Sequence, residues 1–277
     1  MKNRLLPKPM IELLSLTVFL YASVVGCAFV FQRSLLYYPD KSTPSLQLSG
    51  LRQIDEISLI TSDGLELLGW YRKAKPGHPT LVLFHGNAGH IGHRSLKILP
   101  YAEAGIGVLL AEYRGYGGNE GMPSEEGLYR DGHAALEFLN KAGVPVNRIV
   151  LYGESLGTGV SVQMAKEYDV GAIILEAPFT SLGDIGAHHY PYLPSRWLAR
   201  DPFDNLSKIG EVSAPLLIIH GERDRIIPVD FGRKIFDAAK EPKEMKVFSN
   251  VGHNDLHLAS VSQMVLEFMS RRLPPAH

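Results

Sequence analysis

Hydrophobic and polar positions follow a different pattern in each part of this chain. Met10 to Phe31 is almost unbroken apolar sequence, with Glu12 its only charged residue. As a helix at about 1.5 Å per residue, such a stretch crosses a hydrocarbon core of roughly 30 Å. Ile54 to Ile60 alternates and predicts a strand. Asp63-Gly64 marks a turn, and Leu65 to Tyr71 returns as the second strand of a hairpin. After the turn-rich Lys75-Pro76-Gly77-His78-Pro79, short apolar runs near 80–84, 107–112, 148–152 and 172–176 alternate with helical spacings. Ala214 to Gly221 and Met245 to Phe248 read as two more strands. Strands alternating with helices imply a mostly parallel sheet with helices on both faces. The clearest helix is Ser124 to Ala142. Ser124 is its N-cap, and Leu128, Ala135, Leu136 and Leu139 recur at helical spacing. Asp131 and Glu137 are expected on its solvated face.

Leu182 to Lys208 breaks the strand-helix rhythm. It is rich in proline and rings (His188, His189, Tyr190, Tyr192, Trp197, Phe203). These rings either line an acyl pocket or pack the insert onto the body. Asn205-Leu206-Ser207 matches a glycosylation sequon. The expected organisation is a flank at 1–9, a transmembrane anchor at 10–31, a linker at 32–53 and a catalytic domain at 54–277, with 182–208 as a short cap.

The N-terminal segment has two competing readings. A cleaved signal peptide has a shorter apolar run and a small-residue cleavage site. A lipoprotein signal fits Val24-Val25-Gly26-Cys27, but Ala28-Phe29-Val30-Phe31 continues the apolar run past the cysteine. The span is preferred, with Cys27 as a buried small hydrophobe. Lys2, Arg4 and Lys8 precede it while Arg33 and Lys41 follow, which favours a cytoplasmic N-terminus and a non-cytoplasmic catalytic domain. The formal net charge of −1 argues against a nucleic-acid partner. A single cysteine excludes an intrachain disulfide. Composition leaves the oligomeric state open.

The densest chemical signal is Gly153-Glu154-Ser155-Leu156-Gly157. It follows the apolar run Ile149 to Tyr152 and precedes a small-residue helical pattern, Thr158 to Lys166. Strand, sharp turn and helix are the setting of a G-x-S-x-G nucleophile elbow, which lifts the Ser155 hydroxyl clear of the sheet. A serine hydroxyl is a weak nucleophile and needs a base. Downstream, Asp224 lies in the turn after one strand and His253 in the loop after the next. His253 is the candidate base and Asp224 its orienting carboxylate. Taken singly, Asp224 reads as a turn cap and His253 as a solvated loop residue. His85-Gly86-Asn87-Ala88-Gly89, after Thr80 to Phe84, fits the loop that supplies one oxyanion donor. The donors are assigned to the N–H groups of Asn87 and Leu156.

With these motifs, Gln32-Arg33-Ser34-Leu35-Leu36-Tyr37-Tyr38-Pro39 and Tyr113-Arg114-Gly115-Tyr116-Gly117, nearly the whole chain resembles the membrane-anchored, single-span α/β-hydrolases. That group includes the bud-emergence-type hydrolases and the α/β-hydrolase-domain depalmitoylases. Glu112 departs from the aspartate usual before Tyr-Arg-Gly-Tyr-Gly. The resemblance implies an α/β-hydrolase fold with an eight-stranded sheet, a Ser155–Asp224–His253 triad and no metal or organic cofactor. It implies hydrolysis of carboxylic esters or thioesters, on small molecules or on lipid- or protein-borne acyl groups. An aminopeptidase-like activity and a non-catalytic membrane-tethered module are the alternatives.

Other features fit no second chemistry. His85, His90 and His93 lack the H-E-x-x-H pattern and a nearby cysteine pair, so hydrogen-bonded histidines explain them better than a metal. Gly115 to Gly118 does not complete a dinucleotide fingerprint, and Gly153 to Gly159 lacks the lysine of a P-loop.

Overall fold

The computed structural model describes residues 7–256 and 261–274. Lys2 and Arg4, part of the orientation argument, lie outside the described residues, as do 257–260 and 275–277. One continuous helix, α1 (Lys8–Leu36), takes in the whole apolar segment and exceeds the expected span at both ends. None of its residues is buried, and its mean hydropathy reaches 2.2, so it is long and apolar enough to cross a membrane. Cys27 is exposed on it rather than packed in a core.

Residues 32–40, expected within a linker, are packed against the body. The Arg33 guanidinium donates to both carboxylate oxygens of Asp201 at 2.7 and 2.8 Å. Tyr37 is buried, and β1 (Tyr38–Pro39) pairs in parallel with β5 (Ala88–Gly89).

The main sheet has eight strands. The predicted hairpin forms its antiparallel edge as β2 (Asp55–Ile60) and β3 (Glu66–Arg72). β3 pairs antiparallel with β6 (Gly107–Ala111). From there β4 (Thr80–Phe84), β7 (Ile149–Glu154), β8 (Ala172–Glu176), β9 (Leu216–Gly221) and β10 (Lys243–Phe248) run parallel. β4, β6, β8 and β9 are buried along their whole length, as parallel strands covered on both faces must be. On one face α3 (Glu125–Lys141), α4 (Gly157–Glu167) and α5 (Val229–Ala238) contribute Leu128, Val160 and Ile235 to the core. On the other, α2 (Ser95–Glu103) and α6 (Val261–Arg272) contribute Ile98 and Phe268. Each such side chain stabilises the fold by about 1.5–3 kcal/mol. The mostly parallel eight-stranded sheet and its two helical layers match the expectation.

α3 begins as predicted, with the Ser124 hydroxyl accepting from the Gly127 N–H at 3.1 Å. Glu137 is exposed, but Asp131 is not on a solvated face. It is buried and accepts from the Arg114 side chain and backbone N–H, at 2.8 and 3.0 Å. Burial pushes the Asp131 carboxyl up to about 6 against the pull of Arg114. Arg114 also holds Asp63, so Tyr113-Arg114-Gly115 braces the interior. The sequon asparagine, Asn205, is fully buried and donates to the Phe179 carbonyl, out of reach of a glycosylating enzyme.

Candidate active site

The elbow is built by close packing. Ser155 has φ of 51°, in the left-handed region that non-glycine residues rarely occupy. Its N–H donates to the Glu176 carbonyl, which ties the turn to the end of β8. A Cβ on Gly153 would lie 2.6 Å from the Thr158 Cα, and one on Gly157 only 2.0 Å from the Phe84 carbonyl oxygen. Both contacts are with backbone, which cannot swing away. Gly157→Ala is therefore expected to cost more than about 4 kcal/mol. The readout is the yield of folded protein and its denaturant midpoint. A soluble variant with an unchanged midpoint would contradict this packing.

The sequence-selected side chains converge. His253 Nε2 lies 3.1 Å from Ser155 Oγ, and His253 Nδ1 lies 2.6 Å from Asp224 Oδ2. Asp224 is buried at the end of β9, with its Oδ1 accepting from the N–H groups of Ile226 and Ile227, each at 2.8 Å. Burial opposes its ionisation. Hydrogen bonding with His220 and His253 and the Ile227 N–H outweigh burial and hold the carboxyl below the usual range. With Asp224 ionised, the imidazole proton sits on Nδ1, and the Nε2 lone pair accepts the Ser155 O–H.

Phe84 pairs with Gly153 in the β4–β7 register. Asn87 and Leu156 each stand three residues beyond that pair, so both leave adjacent strand ends on the same side. Leu156 caps α4, and its N–H has no acceptor among the described residues. The Asn87 carbonyl accepts from the Tyr38 N–H and the Tyr116 hydroxyl, while its side chain donates to the Leu36 carbonyl at 2.7 Å. These bonds fix the loop and leave the Asn87 N–H without an acceptor among the described residues.

The residues that sequence reasoning missed lie beside the elbow. Lys97 Nζ sits 2.5 Å from Glu154 and 2.8 Å from Glu176, and Arg94 donates to Glu154 at 2.8 Å. The Tyr152 hydroxyl donates to Glu176 as well. Burial opposes the charge on Glu154, yet Lys97 and Arg94 prevail and hold its carboxyl low. A cavity of about 370 Å³ opens here, lined by Ser155, His253, Glu154, Glu176, Lys97 and Arg94 among others, and by no residue of 182–208. Deeper in, Glu112 is fully buried. It holds His85 Nε2 at 2.8 Å and accepts the Ile91 N–H, so the glutamate serves as a brace and His85 as a packed residue.

Asp40, His90 and His93 bring ligand atoms within 4.8 Å of one another. His90 Nδ1 accepts the Gly92 N–H, so neutral His90 carries its proton on Nε2, facing Asp40 at 3.6 Å. A protonated Nε2 offers no lone pair to a metal, and the contact with Asp40 is electrostatic.

Residues 75–200 match the family model described as "Serine aminopeptidase, S33". An uncharacterized protein of Mycobacterium tuberculosis is 40% identical over 230 residues, 82% of each chain. Protein ABHD12B of Homo sapiens is 33% identical over 233 residues, covering 73% of this chain and 64% of that one. An esterase of Pyrococcus furiosus shares the fold at a TM-score of 0.70 and 18% identity, over 86% of this chain and 97% of that one. The chain belongs to the α/β-hydrolase family.

Proposed function

We propose that this hydrolase is a serine hydrolase that cleaves carboxylic esters or thioesters through an acyl-enzyme on Ser155. The observation that carries the reading is the relay from Ser155 Oγ to His253 at 3.1 Å and from His253 to Asp224 at 2.6 Å. Ser155 Oγ attacks the carbonyl carbon as its proton passes to His253 Nε2. Asp224 stabilises the imidazolium that forms. The Asn87 and Leu156 N–H groups receive the oxyanion, each donor worth about 2.7–4 kcal/mol in the transition state. Collapse expels the alcohol or thiol, which takes the proton from His253. Water, deprotonated by the same imidazole, then releases the acid and restores Ser155.

A peptidase reading draws on the description of the matching family model. An aminopeptidase needs an anionic group for the substrate α-ammonium. The carboxylates beside Ser155, Glu154 and Glu176, are already held by Lys97 and Arg94. This favours neutral acyl substrates of modest length. The further part of the proposal is that α1 tethers the enzyme to a membrane, with the domain on the non-cytoplasmic side. Protease protection in sealed vesicles tests that side.

The substrate class is tested with nitrophenyl esters and acyl thioesters of increasing chain length beside aminoacyl amides. Esters and thioesters are expected to turn over at least about 10²-fold faster than amides, since the site supplies no counter-charge for an amine. Turnover of aminoacyl amides alone would establish the aminopeptidase instead. No turnover of any substrate by folded protein would favour a tethered module.

A further inference from the structure

The rings of the 182–208 insert divide: Phe203 is fully buried in the core and His188 lies edge-on to Phe231, packing the insert onto the body, whereas the outer rings follow neither expected course. They are absent from the lining of the cavity beside Ser155, and Tyr190, Tyr192 and Trp197 point outward, exposed by 52%, 62% and 90%. The insert is instead fastened along α1. The Tyr21 hydroxyl donates to the Tyr192 carbonyl at 2.8 Å. Nearer the end of α1, Gln32 bonds the Leu198 carbonyl and the Arg200 N–H, Arg200 lies over the Phe29 ring, and Arg33 holds Asp201.

These contacts fix how deep the insert sits. From Tyr21 to Gln32 the insert follows the helix for about 16 Å, at about 1.5 Å per residue. If the insert stayed in water, the apolar length left for the bilayer would run only from Met10 to Leu20, about 17 Å. That is roughly half of a hydrocarbon core of about 30 Å. The helix can cross only if the part of the insert beside Tyr21 goes in with it.

We propose that the insert tip, Tyr190 to Pro194, is immersed in the bilayer beside α1, with Trp197 near the interface. The occupant of this exposed face is the lipid itself. The tip sequence, Tyr190-Pro191-Tyr192-Leu193-Pro194, carries no charge. The charged residues of the insert lie outside the tip: Asp184 pairs with Arg196, Arg200 and Asp201 stand at the level of Gln32 and Arg33, Asp204 accepts the Ser207 N–H, and Lys208 faces Glu125. Backbone donors in hydrocarbon must be satisfied internally. Here the N–H groups of Tyr190 and Leu193 bond to carbonyls within the insert, as do those of Ser195, Trp197 and Leu198 beyond the tip, and Pro191 and Pro194 have none to satisfy; within the tip the Tyr192 N–H alone has no acceptor among the described residues. A tyrosine hydroxyl at mid-helix in lipid also needs a partner, and Tyr21 finds one in Tyr192. Tryptophan and tyrosine beside the span match the amphipathic rings that gather at membrane interfaces.

This inference rests on α1 being a membrane anchor and is independent of the hydrolytic reading. The chain has two tryptophans, Trp197 and the fully buried Trp70, so emission reports on the insert directly. Full-length protein is reconstituted in phosphatidylcholine bilayers with or without bromine on the acyl chains. Brominated lipid is expected to lower tryptophan emission roughly twofold, since one of the two rings is within reach. Trp197→Phe should abolish that quenching. Tyr192→Asp, outside the catalytic residues, should weaken it while hydrolysis of a soluble short-chain ester stays unchanged. Carbonate-resistant membrane protein whose Trp197 is quenched by aqueous iodide and not by brominated lipid would overturn the immersed tip and leave the anchor standing. Protein released by the carbonate wash would overturn both.

Discussion

Ser155→Ala is expected to lower kcat for a good ester substrate by about 10⁶-fold while leaving the fold intact. His253→Ala should cost nearly as much, and the double variant little more, because hydroxyl and imidazole act as one unit. The geometry requires this non-additivity: with His253 Nε2 at 3.1 Å from Oγ, removing either partner leaves the other without a role. Residual turnover over water would come from the Asn87 and Leu156 donors and from binding. Stability should move the other way at the same position. Ser155 is held at φ of 51°, and such strain costs about 1–3 kcal/mol for a residue with a Cβ. Ser155→Gly should therefore inactivate the enzyme yet unfold at a higher denaturant midpoint. Steady-state kinetics with chemical denaturation reads both. Independent, additive losses from the two single variants would contradict a shared relay.

The second large effect is structural. Lys97→Met is expected to destabilise the domain by about 3–5 kcal/mol, because it removes the main cationic partner of two largely buried carboxylates. That is a large part of the 5–15 kcal/mol or so that holds a typical domain folded. Adding Glu176→Gln should restore much of the loss, since Glu154 keeps Arg94. The pH dependence carries the sign of the effect. In the native protein the Glu154 carboxyl is held below its ordinary value of 4.5. Its contribution is therefore full above that pH and lost as pH falls through the acid range. Without Lys97 the domain buries two carboxylates against the single guanidinium of Arg94, so the variant should lose stability relative to native protein as pH rises from acid towards neutral. Urea midpoints across pH distinguish the two slopes. Parallel curves for native and variant protein would contradict the buried network.

What the sequence made legible was carried by local pattern. The hairpin around Asp63-Gly64, the buried strands and the Ser124 cap each need only a few neighbouring residues, and each is present in the structure. The elbow was legible because Gly153 and Gly157 stand where backbone leaves no room for a Cβ. Ser155, Asp224 and His253 could be grouped because each follows a parallel strand, and parallel strands end on one edge. The Lys97 network was not legible. Its members come from α2 and the ends of β7 and β8, and nothing local links Lys97 to residues 57 and 79 positions away. Asp131 was misplaced although a signal existed: it follows Leu128 by three and precedes Ala135 by four, which sets it on the apolar face of α3. The outer rings of the insert, unlike the core residue Phe203, face neither the cavity nor the core, so neither expected role describes them. Only the contacts from Tyr21 to Arg33 show what lies beside them.

The most direct test is covalent. A fluorophosphonate probe transfers its phosphonyl group only to a serine oxygen activated by an adjacent base. Native protein should gain one adduct, located by peptide mass spectrometry on the segment containing Ser155, and Ser155→Ala and His253→Ala should gain none. Folded native protein that stays unmodified, or an adduct on a different serine, would contradict the relay on which the account depends.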